Sequence, residues 1–453
     1  MYVKNTEEIL NHGERELRRD LINAIEAALI RVDPYDLTKR LVSLVDGQLR
    51  IGDNIFAINQ LGKIRVIGAG KATYPIARAV EEILGKHLSD GFIIVKEDEA
   101  RTLSRIKVVH AGHPLPSESG FKAAQEIVKI CSSSEKEDLF LAAFTGGCSA
   151  LMPFPADGVS LEDKREVTRL LLGSGATIRE INSVRKHLSR TKGGGLAKTI
   201  SPATIVNITV SDVIGDPLDC ITDPTVIDSS TFTDAIGTLR KHDLWDSVPS
   251  SVKNRLANAT PAQETLKEYG DLRVHSYIVA SNVMAAEAAR DYLKSREYDS
   301  QILTTSLEGE SREVGYVLAS IASEIAQNDR PMKKPAAYIC AGETLVKVKE
   351  AMSQHGLGGP SQELAAAVAL RLPMNHRVAG VFIDTDGSDG PTDLAGAIID
   401  SQTMKHGEAL HIDLNESLKK HDVSVALKRL GDAIVTGSTG TNVMDLAVVV
   451  VSR

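Results

Sequence analysis

The feature that most constrains this chain is a repeated pattern: a short apolar run ends in glycine, serine, threonine or aspartate, and an amphipathic stretch follows. Residues 63–67, 92–95, 108–110, 139–144, 204–210, 277–280 and 302–305 read as strands. Residues 72–84, 121–131, 161–172, 283–293 and 312–325 read as the helices that separate most of them. Such alternation predicts an α/β fold with parallel strands and crossover helices, whose ligands bind at the carboxyl edge of the sheet. Residues 5–31 add one or two amphipathic helices, with Ile9, Leu17, Leu21, Ile22, Ile25, Ala28 and Leu29 at helical spacing among charges.

At 453 residues the chain is long enough for two or three domains. The polar segment 327–335, QNDRPMKKP, is the expected boundary. It predicts a larger domain over 1–330 and a smaller α/β domain over 331–453, with strands at 337–340, 378–384 and 446–451 and a helix at 362–372. The formal net charge of −8 argues against nucleic acid or an anionic membrane as partner, and leaves small anionic substrates open. Cys131, Cys148, Cys220 and Cys340 form no CxxC pair and read as reduced thiols. The charged start of the chain lacks the apolar core of a secretion signal, and no apolar run approaches the roughly 20 residues of a membrane span. A cytoplasmic protein is expected.

Five groups of residues carry candidate chemistry. In Val66-Ile-Gly-Ala-Gly-Lys71, Gly68 and Gly70 let the backbone approach an anion and Lys71 supplies charge beside it. A simple strand-to-helix turn is the alternative, and dinucleotide binding lacks its third glycine where Tyr74 and Pro75 stand. Thr145-Gly146-Gly147-Cys148-Ser149 follows an apolar strand and suits a nest of N–H groups around a carboxylate or phosphate, or else a capped turn. Arg185, Lys186, His187, Arg190 and Lys192 crowd one short stretch, with Asn182, Arg185 and Lys186 on one face if it is helical. That density points to an anion, against the alternative of a solvated helix end; His187 by itself reads as structural. Asp212 and Asp216 follow another strand and could hold Mg²⁺, accept a proton, or make Asx turns. In the C-terminal part, Gly342-Glu343-Thr344, Gly356 to Glu363, Asp384 to Pro391 and Thr436 to Asn442 are polar loops at element ends; Asp386 and Asp389 there are candidate ligands without a calcium-loop pattern.

Taken in order, VIGAGKA, HPLPSESG, FTGGCSALM, INSVRKHLSRTKGGGLA, TVSDVIGDP, AGET, GLGGPSQE, DTDGSDGPTD and TGSTGTNVMDL resemble the glycerate 2-kinase family, whose C-terminal half is the MOFRL domain. The resemblance runs from residue 66 to residue 446. It implies a Rossmann-like α/β sandwich domain, a smaller MOFRL-type domain and an active site in the cleft between them. It also implies transfer of the γ-phosphoryl group of ATP to the 2-hydroxyl of D-glycerate, with Mg²⁺ or another divalent cation, and leaves a homodimer open.

Carried onto this chain, the resemblance makes Lys71 the leading catalytic cation, with Arg185 and Asp212 as further catalytic candidates. Gly68, Gly70, Thr145, Gly146, Gly147, Ser149, Asn182 and Lys192 become the cradle for carboxylate and phosphate. Ser281, Asn282, Glu343, Gly358, Gly359 and Gln362 become nucleotide contacts, and Asp212, Asp216, Asp386 and Asp389 metal candidates. Many members read Gly-Gly-Arg-Asn-Gln-Glu where this chain has Pro360 and Ser361. That arginine's charge must come from elsewhere, Lys347 being one source, or the phosphate is clamped differently. The rival readings are a nicotinamide-dependent hydroxypyruvate reductase, kept open by Glu97 and Asp98, and a non-catalytic nucleotide- or sugar-phosphate-binding protein.

Overall fold

The computed structural model describes residues 1–96, 101–113, 115–347 and 356–453. Two compact units account for the chain. A parallel-sheet unit comprises Pro34–Ser211 and Asp216–Val279, and a mixed-sheet unit comprises Met1–Asp33, Asp212–Gly215 and Ala280–Arg453.

The parallel-sheet unit opens with the helix Pro34–Leu41 and an antiparallel meander of β1 (Val42–Val45), β2 (Gln48–Ile51) and β3 (Asn54–Ala57). Its main sheet contains β4 (Ile64–Ala69), β5 (Asp90–Lys96), β6 (Ile106–Ala111), β7 (Leu139–Phe144), β8 (Thr204–Val210) and β9 (Arg273–Ala280). The order is β6-β5-β4-β7-β8-β9, and every neighbouring pair from β6 to β8 is parallel. The chain enters at β4, winds outward to β6 and returns to β7 on the other side. The order therefore reverses between β4 and β7, and the crevice outside their carboxyl ends is where such sheets bind ligands. Both strands are buried along their whole length, as strands covered on both faces must be.

Apolar clusters among the described residues support this unit. Ile67, Phe92, Ile127, Phe140, Leu196 and Ile205 join the sheet to its helices. Val167, Leu171, Val184, Leu239, Val252 and Leu256 join the helices Leu161–Leu172, Ile178–His187, Phe232–Lys241 and Ser250–Ala257. Capping boxes at Ser160/Asp163 and Thr177/Glu180 fix where the first two of these helices begin, and so which side chains face inward.

The mixed-sheet unit contains β10 (Asp299–Glu310), β11 (Ala336–Leu345), β12 (Val378–Asp384), β13 (Gly396–Asp400), β14 (Ala433–Ile434) and β15 (Asp445–Val451), in the order β10-β11-β15-β12-β13-β14. Only β10 and β11 are parallel; the other neighbours are antiparallel. The link from β12 to β13 contains no helix, and a parallel connection needs a longer crossover, so these two strands pair antiparallel.

The division of the chain also differs from the expected 1–330 and 331–453. β10 pairs with β11 from Asp299 opposite Ala336 to Glu310 opposite Leu345, so 299–310 belongs with the C-terminal strands. The segment 327–335 is a loop between the helix Ser311–Asn328 and β11 of one sheet, rather than a linker. The helix Arg15–Arg31 packs on Asn282–Ser295 in the same unit. Its Arg18, wholly buried, donates to Asp400 at 2.5 Å and Asp432 at 2.7 Å.

Candidate active site

The turn leaving β4 and the turn leaving β7 are built against each other. Gly68 lies opposite Ala143 and Ala69 opposite Phe144 in the parallel register. A Cβ on Gly70, whose φ is +144°, would fall 2.1 Å from the Thr145 Oγ1; one on Gly68 would fall 2.3 Å from the Ala143 carbonyl oxygen. Glycine at these positions lets the two turns close on one another, so their role in the structure is this close approach rather than an open face for a ligand. The Lys71 N–H donates to the Gly146 carbonyl at 2.8 Å, and the Thr145 N–H to Ala69 at 3.1 Å. Thr145 Oγ1 accepts from the Ala72 N–H at 3.2 Å. Gly147 takes a left-handed φ of +85° and opens the short helix Cys148–Leu151, on which Ser149 is half-buried. The half-buried Lys71 and His113 side chains lie against Gly147: a Cβ there would be 3.4 Å from Lys71 Cγ and 3.3 Å from the His113 ring.

The basic stretch folds as the helix Ile178–His187 and the turn after it. Burial pushes the Cys148 thiol up to about 12, against the pull of Lys192 and Arg185, so both cations lie within electrostatic reach of the turn after β7. The Arg185 Nε is buried and has no hydrogen-bond partner among the described residues. Burial lowers the basicity of Arg185 while Asp223 partly restores it. Lys192 pairs with Asp223 at 2.8 Å with both side chains buried. Asn182 is buried beside Cys220. Lys186 is committed to Asp228 at 2.9 Å and Asp219 at 3.2 Å. His187 is held by Glu264 at 2.8 Å and by the ring of Phe232, which matches the structural reading of that histidine.

Lys164 is a member of this group that the sequence reading did not single out. It is 2 % exposed and donates to the Leu188 carbonyl at 3.3 Å. Its signal was present in the pattern: Lys164, Val167, Thr168 and Leu171 share the buried face of one amphipathic helix. His113, in the HPLPSESG segment, is the other residue missed.

In the mixed-sheet unit several expected ligands hold each other. Asp389, 1 % exposed, accepts from the N–H groups of Ser361 at 3.1 Å and Gln362 at 2.8 Å, and from Gln362 Nε2 at 2.9 Å. It thereby satisfies the free N-terminus of the helix Pro360–Ala369. A Cβ on Gly359 would lie 2.3 Å from the Asp389 Cγ, so the loops GGPSQE and DTDGSDG are packed on one another. Gln362 also receives the Ser424 hydroxyl. Pro360 occupies the first helical position, where a missing N–H costs nothing, and the Ser361 Oγ is buried without a partner among the described residues. Gly358 lies against Val423, Glu343 is exposed on β11, and Lys347 is exposed beyond it. Asp386 accepts from the Ser388 N–H at 2.8 Å. Asn282 donates to the Thr305 carbonyl at 2.8 Å, next to the buried Ser281.

Asp212 accepts from Asn442 at 3.1 Å within the mixed-sheet unit, and Asp216 takes a left-handed φ of +53° before Pro217. Among the described residues no group of three His, Cys, Asp or Glu side chains is arranged to hold a metal ion. Asp212, Asp216, Asp386 and Asp389 are therefore not one metal cluster. Glu97 and Asp98 lie outside the described residues.

A doubly wound sheet with a lysine-bearing turn at its switch point, next to a buried cluster of cations, defines an α/β enzyme built to handle small anions. Family models match residues 20–257, a domain of unknown function (DUF4147), and residues 336–445, the MOFRL family. The chain is 39% identical over 441 residues to the glycerate 2-kinase of Pyrococcus horikoshii, covering 96% of this chain and 98% of that one. It is 37% identical over 425 residues to the D-glycerate 2-kinase of Thermotoga maritima, covering 92% and 99%. A protein of Agrobacterium vitis provisionally named a hydroxypyruvate reductase is 34% identical over 443 residues, covering 96% and 99%. A crystal structure of glycerate kinase from Thermotoga maritima superposes with a TM-score of 0.81 at 36% identity, covering 96% and 99%. The chain belongs to the glycerate kinase family that carries a DUF4147 domain and a MOFRL domain.

Proposed function

We infer that this chain is a glycerate 2-kinase, which transfers the γ-phosphoryl group of ATP to the 2-hydroxyl of D-glycerate. The observation that carries this reading is local: the Lys71 turn, the Gly146-Gly147 turn and the buried cations around Arg185 adjoin one another at the switch point of a parallel sheet, in a chain of the glycerate kinase family.

Phosphoryl transfer asks a protein for positioning and for positive charge around spreading negative charge, with little covalent work. The bond from the γ-phosphorus to the β,γ-bridging oxygen breaks, a bond from the 2-hydroxyl oxygen forms, and the hydroxyl proton leaves. In this reading Lys71 sets its charge against the transferring group. Arg185, whose buried Nε has no hydrogen-bond partner among the described residues, fits an oxyanion; Lys192, Asn182, Ser149 and the N–H groups of the 145–147 turn complete the cradle. Asp212 is the candidate base, or a metal ligand. Ser281, Asn282, Glu343, Gly358 and the exposed parts of the 356–363 loop are candidates for nucleotide contact.

A divalent cation, when bound, offsets charge on the phosphate oxygens. The dispersed carboxylates fit an ion that arrives with ATP and keeps waters, held by one or two side chains, as Mg²⁺ typically is. A cytoplasmic location, a homodimer and indifference to nucleic acid complete the proposal; no described helix is long and apolar enough to cross a membrane. The reductase alternative still wants its third phosphate-approaching glycine, since Tyr74 and Pro75 are buried in the first turn of the helix Thr73–Leu84. Release of ADP from Mg-ATP that depends on D-glycerate is the expected result. Oxidation of a reduced nicotinamide by hydroxypyruvate, without such ADP release, would overturn the reading.

A further inference from the structure

The helical part of the parallel-sheet unit holds more buried positive charge than its own carboxylates offset. Lys164, Arg185 and Lys192 lie within electrostatic reach of one another, with Asp223 among them already paired to Lys192 at 2.8 Å. Lys186, on the same helix as Arg185, pairs with Asp219 and Asp228. His187 faces Glu264, and the Cys148 thiol is kept neutral by burial. Four lysine and arginine side chains thus share three aspartates. The excess sits at Lys164, whose ammonium has a main-chain carbonyl as its hydrogen-bond partner, and at Arg185, whose Nε has none among the described residues. An uncompensated buried charge is costly unless it is neutralised or awaits a counter-ion.

We propose that Lys164 is a positioning residue for an oxyanion subsite at Arg185, charging the site from behind by taking up a proton when a substrate carboxylate or phosphate arrives. This rests on the kinase reading only for the source of the oxyanion. Burial, together with the neighbouring Lys192 and Arg185, disfavours the charged form of Lys164 and holds its ammonium well below the usual lysine range. A bound anion restores the attraction that burial removed. Lys164 gains its proton, and Arg185 and Lys192 hold the ligand in a stronger field. Lys164 acts through Arg185 and Lys192.

The test is titration calorimetry near neutral pH, in two buffers of different ionisation enthalpy, with D-glycerate, a non-hydrolysable ATP analogue and inorganic phosphate as separate probes. Wild type is expected to take up protons with at least one probe, and which substrate does so names the source of the oxyanion. Lys164→Met is expected to weaken that probe by about tenfold or more, without lowering the melting temperature, because an apolar side chain of similar length replaces a buried amine held by a single main-chain carbonyl. Lys164→Arg, which keeps its proton throughout, is expected to bind without proton uptake and covers the case in which the methionine variant fails to fold. Binding of all three probes at wild-type strength by Lys164→Met, or undiminished proton uptake by Lys164→Arg, would overturn the proposal. If wild type makes no ADP from D-glycerate, the kinase reading fails separately; the phosphate and proton-uptake measurements still decide the subsite.

Discussion

The Lys71 N–H donates to the Gly146 carbonyl at 2.8 Å, and that bond makes the turn after β4 and the turn after β7 a single piece of backbone. Lys71 is placed by a neighbouring strand's loop as much as by its own. Loss of fit between the two turns should therefore reach the chemistry without touching any charged group.

Gly70→Ala tests that coupling. Its Cβ would meet Thr145 Oγ1 at 2.1 Å, at a φ that side chains rarely adopt. We expect a loss of about 1–3 kcal/mol in stability by denaturant titration, with a fall in kcat larger than the folded fraction explains.

Lys71→Ala should leave the melting temperature unchanged, since the residue is half-buried at a turn and its main-chain bond to Gly146 survives. Turnover should fall by about 10²–10³, the usual cost of losing one charge-stabilising group in a transition state. Steady-state ADP release measures it. Wild-type turnover in this variant would remove Lys71 from the mechanism.

Asp389 links stability to pH. Burial pushes its carboxyl up to about 7 from an ordinary value of 3.8, although helix N–H donors pull the other way. A raised value means the folded state binds the extra proton. The stabilisation is complete below 3.8 and is lost as pH rises through about 7. Asp389→Asn should flatten this loss across that window in denaturation series. Asp389→Ala, leaving the N–H groups of Ser361 and Gln362 unpaired, should cost about 1–3 kcal/mol at any pH.

Arg18 secures the helix Arg15–Arg31 to the mixed sheet. Removing it as Arg18→Ala leaves Asp400 and Asp432 buried without their guanidinium, and breaking a buried pair of this kind costs about 3–5 kcal/mol. Chemical denaturation is the measurement.

Much of the fold could be read in advance. The strands at 139–144, 204–210 and 378–384 and the helix at 161–172 have the same bounds in the structure, because each is a clean periodic run between turn residues. The antiparallel strands of the mixed sheet were not foreseen as such; apolar runs reveal strands but carry no sign of direction. Placement of the first 33 residues was equally hidden, since Arg18 reads as an ordinary surface charge until Asp400 and Asp432 meet it from 382 and 414 positions away.

At the candidate site, motif reading singled out Lys71, the 145–149 turn and Arg185, which the structure brings together around Gly147 and Cys148. It passed over Lys164, which sits on an apolar face where charge is easily taken for a break in the pattern. It also assigned Gln362 and Asp389 to ligands, and in the structure the two are hydrogen-bonded to each other. A polar loop looks the same in sequence whether it binds a ligand or satisfies a neighbouring helix end.

The most direct measurement is NMR identification of the phosphorylated acid formed from D-glycerate and Mg-ATP. Phosphorus coupled to the proton at carbon 2 is the result this account predicts. Coupling to the protons at carbon 3 would contradict the assigned regiochemistry, and the absence of any phosphoglycerate would contradict the account itself.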